Sequence, residues 1–595
     1  MPNLSFKKSG LFAVVLALML FFRFDSQAIA VEAGKLPTGD FRWRSYSRIN
    51  HPKFRNIPQG RTFLAAPSCT PIVGGKIYRF VDGIDKCLTP ISDSEITQKL
   101  NDGFAKNLLR QGSFPNSVDA ITTAVMGAGM NLQQANYVVG EGSQIPTTVA
   151  DRDEPRNLRY VLSWGATPTS AQIFLSAAPG GNSSFLQVIA WDTQARTFNF
   201  YEFREQVGQG NGTSTKVWSW AGESAIAQAK ETIGHGCFDC HHNGVVIMKE
   251  LNVPWNNWQS QQSTISPLVV PLAVAQEKFF RNSNGAEVLE RAIRSGFQTY
   301  YRGWLSDRYQ KQGETIRLKD VDLMLRRLTT NTTVNFISSG IQSSGNNTSP
   351  PQKDVSGIPN DLFLWDSALR TALNLNYTIP NIVFKRQDYD NFLDTNKVKL
   401  VQSDFNKPDG SPLYQQDGST YFSFFVPVPS AEDLYLLTQM RSTKIVSDKF
   451  IAAILMVDFQ NPVFSAKRVS LQQYAQGLTT GTIVAGVSSV PTDFAAKLRT
   501  VAATQSSCDA ANNFDLCTAE QQFLYAWNLP DDSWKSTLGA RIQAYLDKFN
   551  SLSPAELLSA ISTSVAQRQK QFQSQPTIGN LDEFSLLLPV SNLTN

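Results

Sequence analysis

The chain has 595 residues, is 42% hydrophobic and 17% charged, and carries a formal net charge of +4. This composition excludes a disordered, charge-dominated polymer and supports a large buried core. The near-neutral balance supplies no electrostatic footprint for nucleic acid or an anionic membrane, so neither is expected as a partner.

The first thirty residues read as an address. Lys7 and Lys8 precede an apolar run from Leu11 to Phe22, and Ala28-Ile29-Ala30 offers small residues for cleavage before Val31. The run is too short for a bilayer, which needs about twenty apolar residues, so 1–30 reads as a secretory signal peptide, with an uncleaved anchor as the alternative. Removing it leaves a net charge of +2, and no later segment is apolar for long enough to span a membrane. Length alone suggests about three or four domains.

From Val31 to about Pro90 the chain is rich in Pro, Gly and Arg without a sustained period, which predicts loops and extended segments. Ser92 to Gly112 reads as one amphipathic helix, with Ile96, Leu100, Phe104 and Leu108 recurring every fourth residue. A second helix covers Val118 to Met126. Four β-type runs follow, Tyr160–Trp164, Gln172–Ser176, Leu186–Trp191 and Thr197–Phe203, with a hairpin at Asp192 to Arg196. They predict a meander, with Trp218 and Trp220 continuing its core.

Beyond Gly222 the pattern turns helical, at Glu223–Lys230, Ala273–Arg281, Ala286–Phe297 and Lys319–Leu328. Ser338 to Asn360 is a low-complexity stretch and reads as a linker. After it, Asp361–Leu375, Ala431–Arg441, Ser447–Val457 and Pro554–Gln571 read as helices. No internal repeat is visible.

The six cysteines fall into three pairs by spacing. Cys69 with Cys87 and Cys508 with Cys517 suit local disulfides in an exported protein. The remaining pair lies in Gly234-His235-Gly236-Cys237-Phe238-Asp239-Cys240-His241-His242-Asn243-Gly244, which also holds three of the four histidines. On one helical turn, residues three and four apart project from one face. Cys237, Cys240 and His241 are therefore spaced to grip one planar group by two sulfurs and one imidazole. Gly234 and Gly236 permit close backbone approach just before this turn. A Cys237–Cys240 disulfide, or a zinc site drawn from His235, Cys237, Cys240, His241 and His242, is the alternative use of the same residues.

Here the sequence resembles the c-type cytochromes, whose shared signature is Cys-x-x-Cys-His. The resemblance spans about five residues and implies one covalently attached haem c. Cys237 and Cys240 would be the thioether positions, and His241 the proximal ligand of the iron. The fold of small cytochromes c is not carried over. The run Met248-Lys249-Glu250-Leu251, with Pro254-Trp255 and Trp258, also resembles a segment of uncharacterised exported bacterial proteins and implies no activity.

For the opposite axial position, Met248 is the nearest candidate, provided the chain leaves its helix to wrap the haem edge. Met324 could return from a later helix, and His51, Met126, Met130, Met440 and Met456 stay open. Trp255 and Trp258 are candidate walls or plain core. Asp239 should face solvent, and Asp151-Arg152-Asp153-Glu154 reads as an exposed turn. Hydrolase elbows, phosphate-binding Gly-rich loops and His-Glu-x-x-His zinc motifs are absent from the sequence.

The expected fold class is α+β. It comprises an N-terminal β-rich domain (31–206), a helical haem-binding region (207–337), the linker (338–360) and a mainly helical C-terminal domain (361–595). The expected function is that of a periplasmic, or otherwise exported, monohaem protein that passes single electrons to or from a redox partner protein or a small molecule. A haem enzyme of peroxidase or oxidase type with an open distal site is the competing class. A secreted binding protein with a structural Cys-x-x-Cys is the third.

Overall fold

The computed structural model describes residues 69–140, 158–180, 185–205 and 215–247, most of 258–330, short pieces between 334 and 417, and 426–560 apart from 462–464. The expected leader, the Asp151 to Glu154 turn and most of the linker lie outside these residues.

Strands β1 (Tyr78–Arg79) and β2 (Thr89–Pro90) open the fold, and the Cys69–Cys87 disulfide ties the segment ahead of β1 to the end of the β1–β2 connection with 5.6 Å between Cα atoms. The helix expected from Ser92 to Gly112 is divided. α1 (Asp93–Lys99) is capped by Ser92, α2 (Gly103–Asn107) by Asp102, and a 3-10 turn ends at Gly112 with φ +78°. The break has a physical cause. Asp102 leaves helical geometry so that its Oδ1 accepts from Phe104 N and Ala105 N, at 3.0 and 2.9 Å. The four-residue ladder survives the break, because Leu100, Phe104 and Leu108 still enter one core with Ile96 beside it. α3 (Val118–Gly127) follows, capped by Ser117.

The meander is present and longer than expected. β3 (Gln133–Gly140), β4 (Leu158–Gly165), β5 (Ala171–Ala177), β6 (Leu186–Asp192), β7 (Thr197–Glu205) and β8 (Lys216–Glu223) pair antiparallel in sequence, with the expected hairpin joining β6 to β7. β1 then adds parallel to β8, giving an eight-stranded sheet in the order β2-β1-β8-β7-β6-β5-β4-β3.

Both faces of the sheet are covered. Tyr160, Leu162 and Trp164 of β4 pack toward the α2 and α3 layer, while Val161 belongs to the opposite core. Strand alternation thus divides one strand between two cores. Trp218 and Trp220 join the first of them.

Instead of a helix at Glu223–Lys230, β8 runs to Glu223, and only a 3-10 turn, Ser224–Ile226, follows. Ser224 is held back because its Oγ accepts from Phe198 N at 2.9 Å. The expected Ala273–Arg281 helix is two single turns, Leu272–Ala275 and Lys278–Arg281, split at the extended residue Glu277.

Helix α4 (Cys237–Cys240) carries the motif, and α5 (Ala286–Arg308) runs well past Phe297. Next come β9 (Tyr309–Gln312), β10 (Thr315–Lys319), α6 (Val321–Thr329), α7 (Ala431–Ser442), α8 (Asp448–Met456), β11 (Thr480–Val484), β12 (Val487–Ser488), α9 (Val490–Ala502), α10 (Ala519–Asn528) and α11 (Trp534–Asn550). A second antiparallel sheet, β9-β10-β11-β12, was not expected. The Cys508–Cys517 disulfide closes the loop before α10.

The architecture is mixed α+β. One apolar core runs from Ala135 on the sheet through α5, α6 and α8 to Leu546 on α11. Among the described residues no helix is long and apolar enough to cross a membrane.

Candidate functional site

The site is built where β7 and β8 fall out of step. A register shift between Phe200 and Tyr201 sets Phe200 opposite Gly222 and Tyr201 opposite Trp220. Gly222 has φ +119°, and a Cβ there would lie 3.0 Å from Phe238. The missing side chain lets Phe238 of α4 seat against the strand, where its ring meets Phe200 at 5.2 Å, edge to face. The aromatic residue between the two cysteines is thus the wedge that fixes α4 to the sheet.

The turn before α4 needs its glycines. Gly234 and Gly236 have φ +70° and +54°. A Cβ at Gly236 would fall 2.4 Å from Asp82 Oδ2. His241 is the C-cap and leaves helical geometry, yet its N–H still bonds Cys237 O at 3.0 Å, so it closes the same turn.

The two sulfurs differ. Cys240 is exposed and Cys237 half-buried, and no bond joins them, whereas the other four cysteines form the two expected disulfides. The thiol of Cys237 donates to Glu202 Oε1 at 3.4 Å. The Glu202 carboxylate contacts Arg204, which donates to Asp82 Oδ2 at 3.0 Å and lies 4.5 Å over the Phe80 ring. Burial pushes the Cys237 thiol up to about 12, against the lowering influence of Arg204.

The imidazole has a defined tautomer. His241 Nδ1 lies 2.8 Å from Val245 O. A carbonyl only accepts, so Nδ1 carries the proton, and in the neutral ring the lone pair is then on Nε2. Residues 242–247 are buried throughout. Gly244 N donates to His241 O at 2.8 Å, and Ser224 Oγ donates to Gly244 O at 2.6 Å.

No match is found to any family model, curated protein or solved structure.

The residues present fit haem c in two respects. Two unbridged thiols and one imidazole share a single turn. The ring also donates its far N–H to a backbone carbonyl, the usual way a metal-binding histidine is oriented. Among the described residues no three His, Cys, Asp or Glu side chains are grouped for a metal ion.

The other candidates are dispersed. Met248, Trp255 and His51 lie outside the described residues, as does the Asp239 side chain. Met324, Met440 and Met456 are buried in the apolar core, Met126 is half exposed, and the Met130 sulfur accepts from Asn107 at 2.9 Å. Trp258 is buried and bridges to Val139 at the sheet edge. Asp82, Glu202, Arg204 and the carboxylates described below were not singled out from sequence, because single charges on strands and loops carry no local signal.

Proposed function

We propose that the chain is an exported monohaem c-type cytochrome-like protein that transfers single electrons. Haem c would be held through Cys237 and Cys240, with His241 as proximal ligand and Met248 the candidate for the opposite position. The observation that carries this reading is the hydrogen bond from His241 Nδ1 to Val245 O inside a Cys-x-x-Cys-His turn whose thiols are unbridged.

When bound, the haem supplies a ferrous–ferric couple. The chain's residues orient and shield. Val245 O fixes the ring so that Nε2 bears the lone pair, and Phe238 and Phe200 exclude water from one side of the turn. The signal peptide at 1–30 supports a periplasmic or otherwise exported location, where two disulfides are stable. The partner is a redox protein or a small electron donor or acceptor, and the finer division into a haem region ending at 337 and a helical domain from 361 belongs to this proposal.

Full-length protein from a host that matures c-type haem tests the reading. Haem retained after denaturation, with the Cys237–His241 peptide heavier by one haem, is expected. Sulfurs bridged to each other, or unmodified, overturn it. Reduced protein inert to carbon monoxide supports electron transfer, and a high-spin haem that binds the gas moves the assignment to the peroxidase or oxidase class.

A further inference from the structure

The turn that orients His241 is also gripped from the far side of the core. Asn243 Nδ2 donates to Glu432 Oε1 at 2.6 Å, across 189 positions of sequence. Glu432 lies in the first turn of α7 and is fully buried. Its other oxygen, Oε2, accepts from the Tyr301 hydroxyl of α5 at 2.9 Å. Tyr301 in turn accepts from Arg327 Nη2 of α6 at 3.1 Å, and Arg327 Nη1 donates to Asp433 Oδ1 at 2.7 Å. Three helices are joined through Glu432 to a residue two positions beyond His241.

We propose that Glu432 is a positioning residue for His241, holding Asn243 so that Val245 O stays in place for the imidazole Nδ1–H. The proposal rests on the haem reading for its purpose, but its geometry does not need the haem. The turn has little freedom of its own. A Cβ at Gly244 would fall 2.5 Å from Ser224 Cα, and Gln228 also contacts Asn243. On the sheet side Ser224 holds the Gly244 carbonyl. Glu432 is the matching anchor on the helical side, and its carboxylate is favoured there by the N-terminal end of α7. Buried hydrogen-bonded networks of this kind fix one geometry because each member is costly to leave unsatisfied.

Histidine tautomers are read directly by nitrogen-15 NMR of full-length protein labelled at histidine and prepared without haem maturation. In the wild type, His241 is expected as the Nδ1–H tautomer. In Glu432→Ala and in Asn243→Ala the tautomer ratio should fall by about two- to tenfold, the range of one net hydrogen bond. The double variant should be no worse than either single one, and Glu432→Gln, which keeps an acceptor oxygen, should restore the ratio. In haem-loaded protein the same variants should shift the reduction potential and the ferric electron paramagnetic resonance signature together. Lower thermal midpoints with an unchanged His241 tautomer overturn the proposal and leave a merely structural bond. If Glu432→Ala does not fold, Asn243→Ala cuts the same link from the other side and decides the matter. The expected tautomer changes, together with no covalent haem when the chain is made in a haem-maturing host, would support the positioning role and refute the haem reading alone.

Discussion

The phenolic hydroxyl of Tyr201 lies 2.5 Å from the carboxylate of Asp102, although 99 positions separate them. Asp102 is fully buried, and it also accepts from Asn199 at 3.0 Å and from two backbone N–H groups of α2. This single carboxylate fastens the N-terminal helices to the centre of the large sheet.

A pH dependence follows. Burial raises the Asp102 pKa above its ordinary 3.8, against the lowering influence of its hydrogen bonds, and Tyr201 is pushed well above its own usual value and keeps its proton. A raised acid pKa means that the folded chain binds the proton more tightly than the unfolded one. The resulting stabilisation is full below 3.8 and is lost as pH rises through the folded-state value. Thermal midpoints of wild type and Asp102→Asn, compared across the acid range, should show wild type losing ground as pH rises. A gain instead would reverse the assigned direction.

Gly244 and Gly112 both have positive φ, but only one is crowded. A Cβ at Gly244 meets Ser224 Cα at 2.5 Å and Ala227 Cβ at 2.9 Å, while at Gly112 nothing lies within 4 Å. Gly112→Ala should cost about 1–2 kcal/mol, the strain of the left-handed region. Gly244→Ala adds overpacking of about 1–3 kcal/mol. Denaturant midpoints should separate the two variants, and equal losses would mean that the close approach to Ser224 carries no energy.

The Cys508–Cys517 bridge closes a loop with a sequence separation of 9. Removing it as Cys508→Ala with Cys517→Ala should cost roughly 2–3 kcal/mol by the chain-entropy relation. The Arg541 guanidinium lies 4.6 Å over Phe514 and donates to Ala511 O at 2.7 Å, so the loop should keep its place once folded. Urea unfolding with an unchanged slope and a lower midpoint is the expected record. A lowered slope would show that the native loop itself had opened, whereas a raised one would report a more expanded unfolded chain.

Arg327 and Asp433 form an ion pair with almost no exposure on either side. Removing one partner of such a pair costs about 3–5 kcal/mol, because a buried charge is stripped of its counter-charge. Arg327→Met should show that loss in equilibrium unfolding. Arg327→Met with Asp433→Leu should recover only part of it, because Arg327 also faces the buried Glu432 carboxylate, and additive losses would argue that the pair is not coupled.

Much of the sheet is legible in the sequence because alternation survives inside each strand. Tyr160, Leu162 and Trp164 announce β4, and the Asp192 to Arg196 turn announces the β6–β7 hairpin. β3 is hidden because its first half, Gln133-Gln134, is polar and only Tyr137 to Val139 is strongly apolar. α11 carries a plain local ladder, Trp534, Leu538, Ile542 and Leu546, all buried. The break at Asp102 could not be read, since the partners that hold it there, Asn199 and Tyr201, come from β7. At the candidate site the cysteines, the histidine and the glycines are local and visible. Glu432 is not, because nothing near it in sequence marks its partner Asn243.

The distance along the chain between Asn243 and Glu432 also sets an order of events. The hairpins of the meander join near neighbours and can close early, but the last anchor of the His241 turn must close a loop of nearly two hundred residues. Until then the turn is held only from the sheet side, through Ser224 and the Gly244 carbonyl.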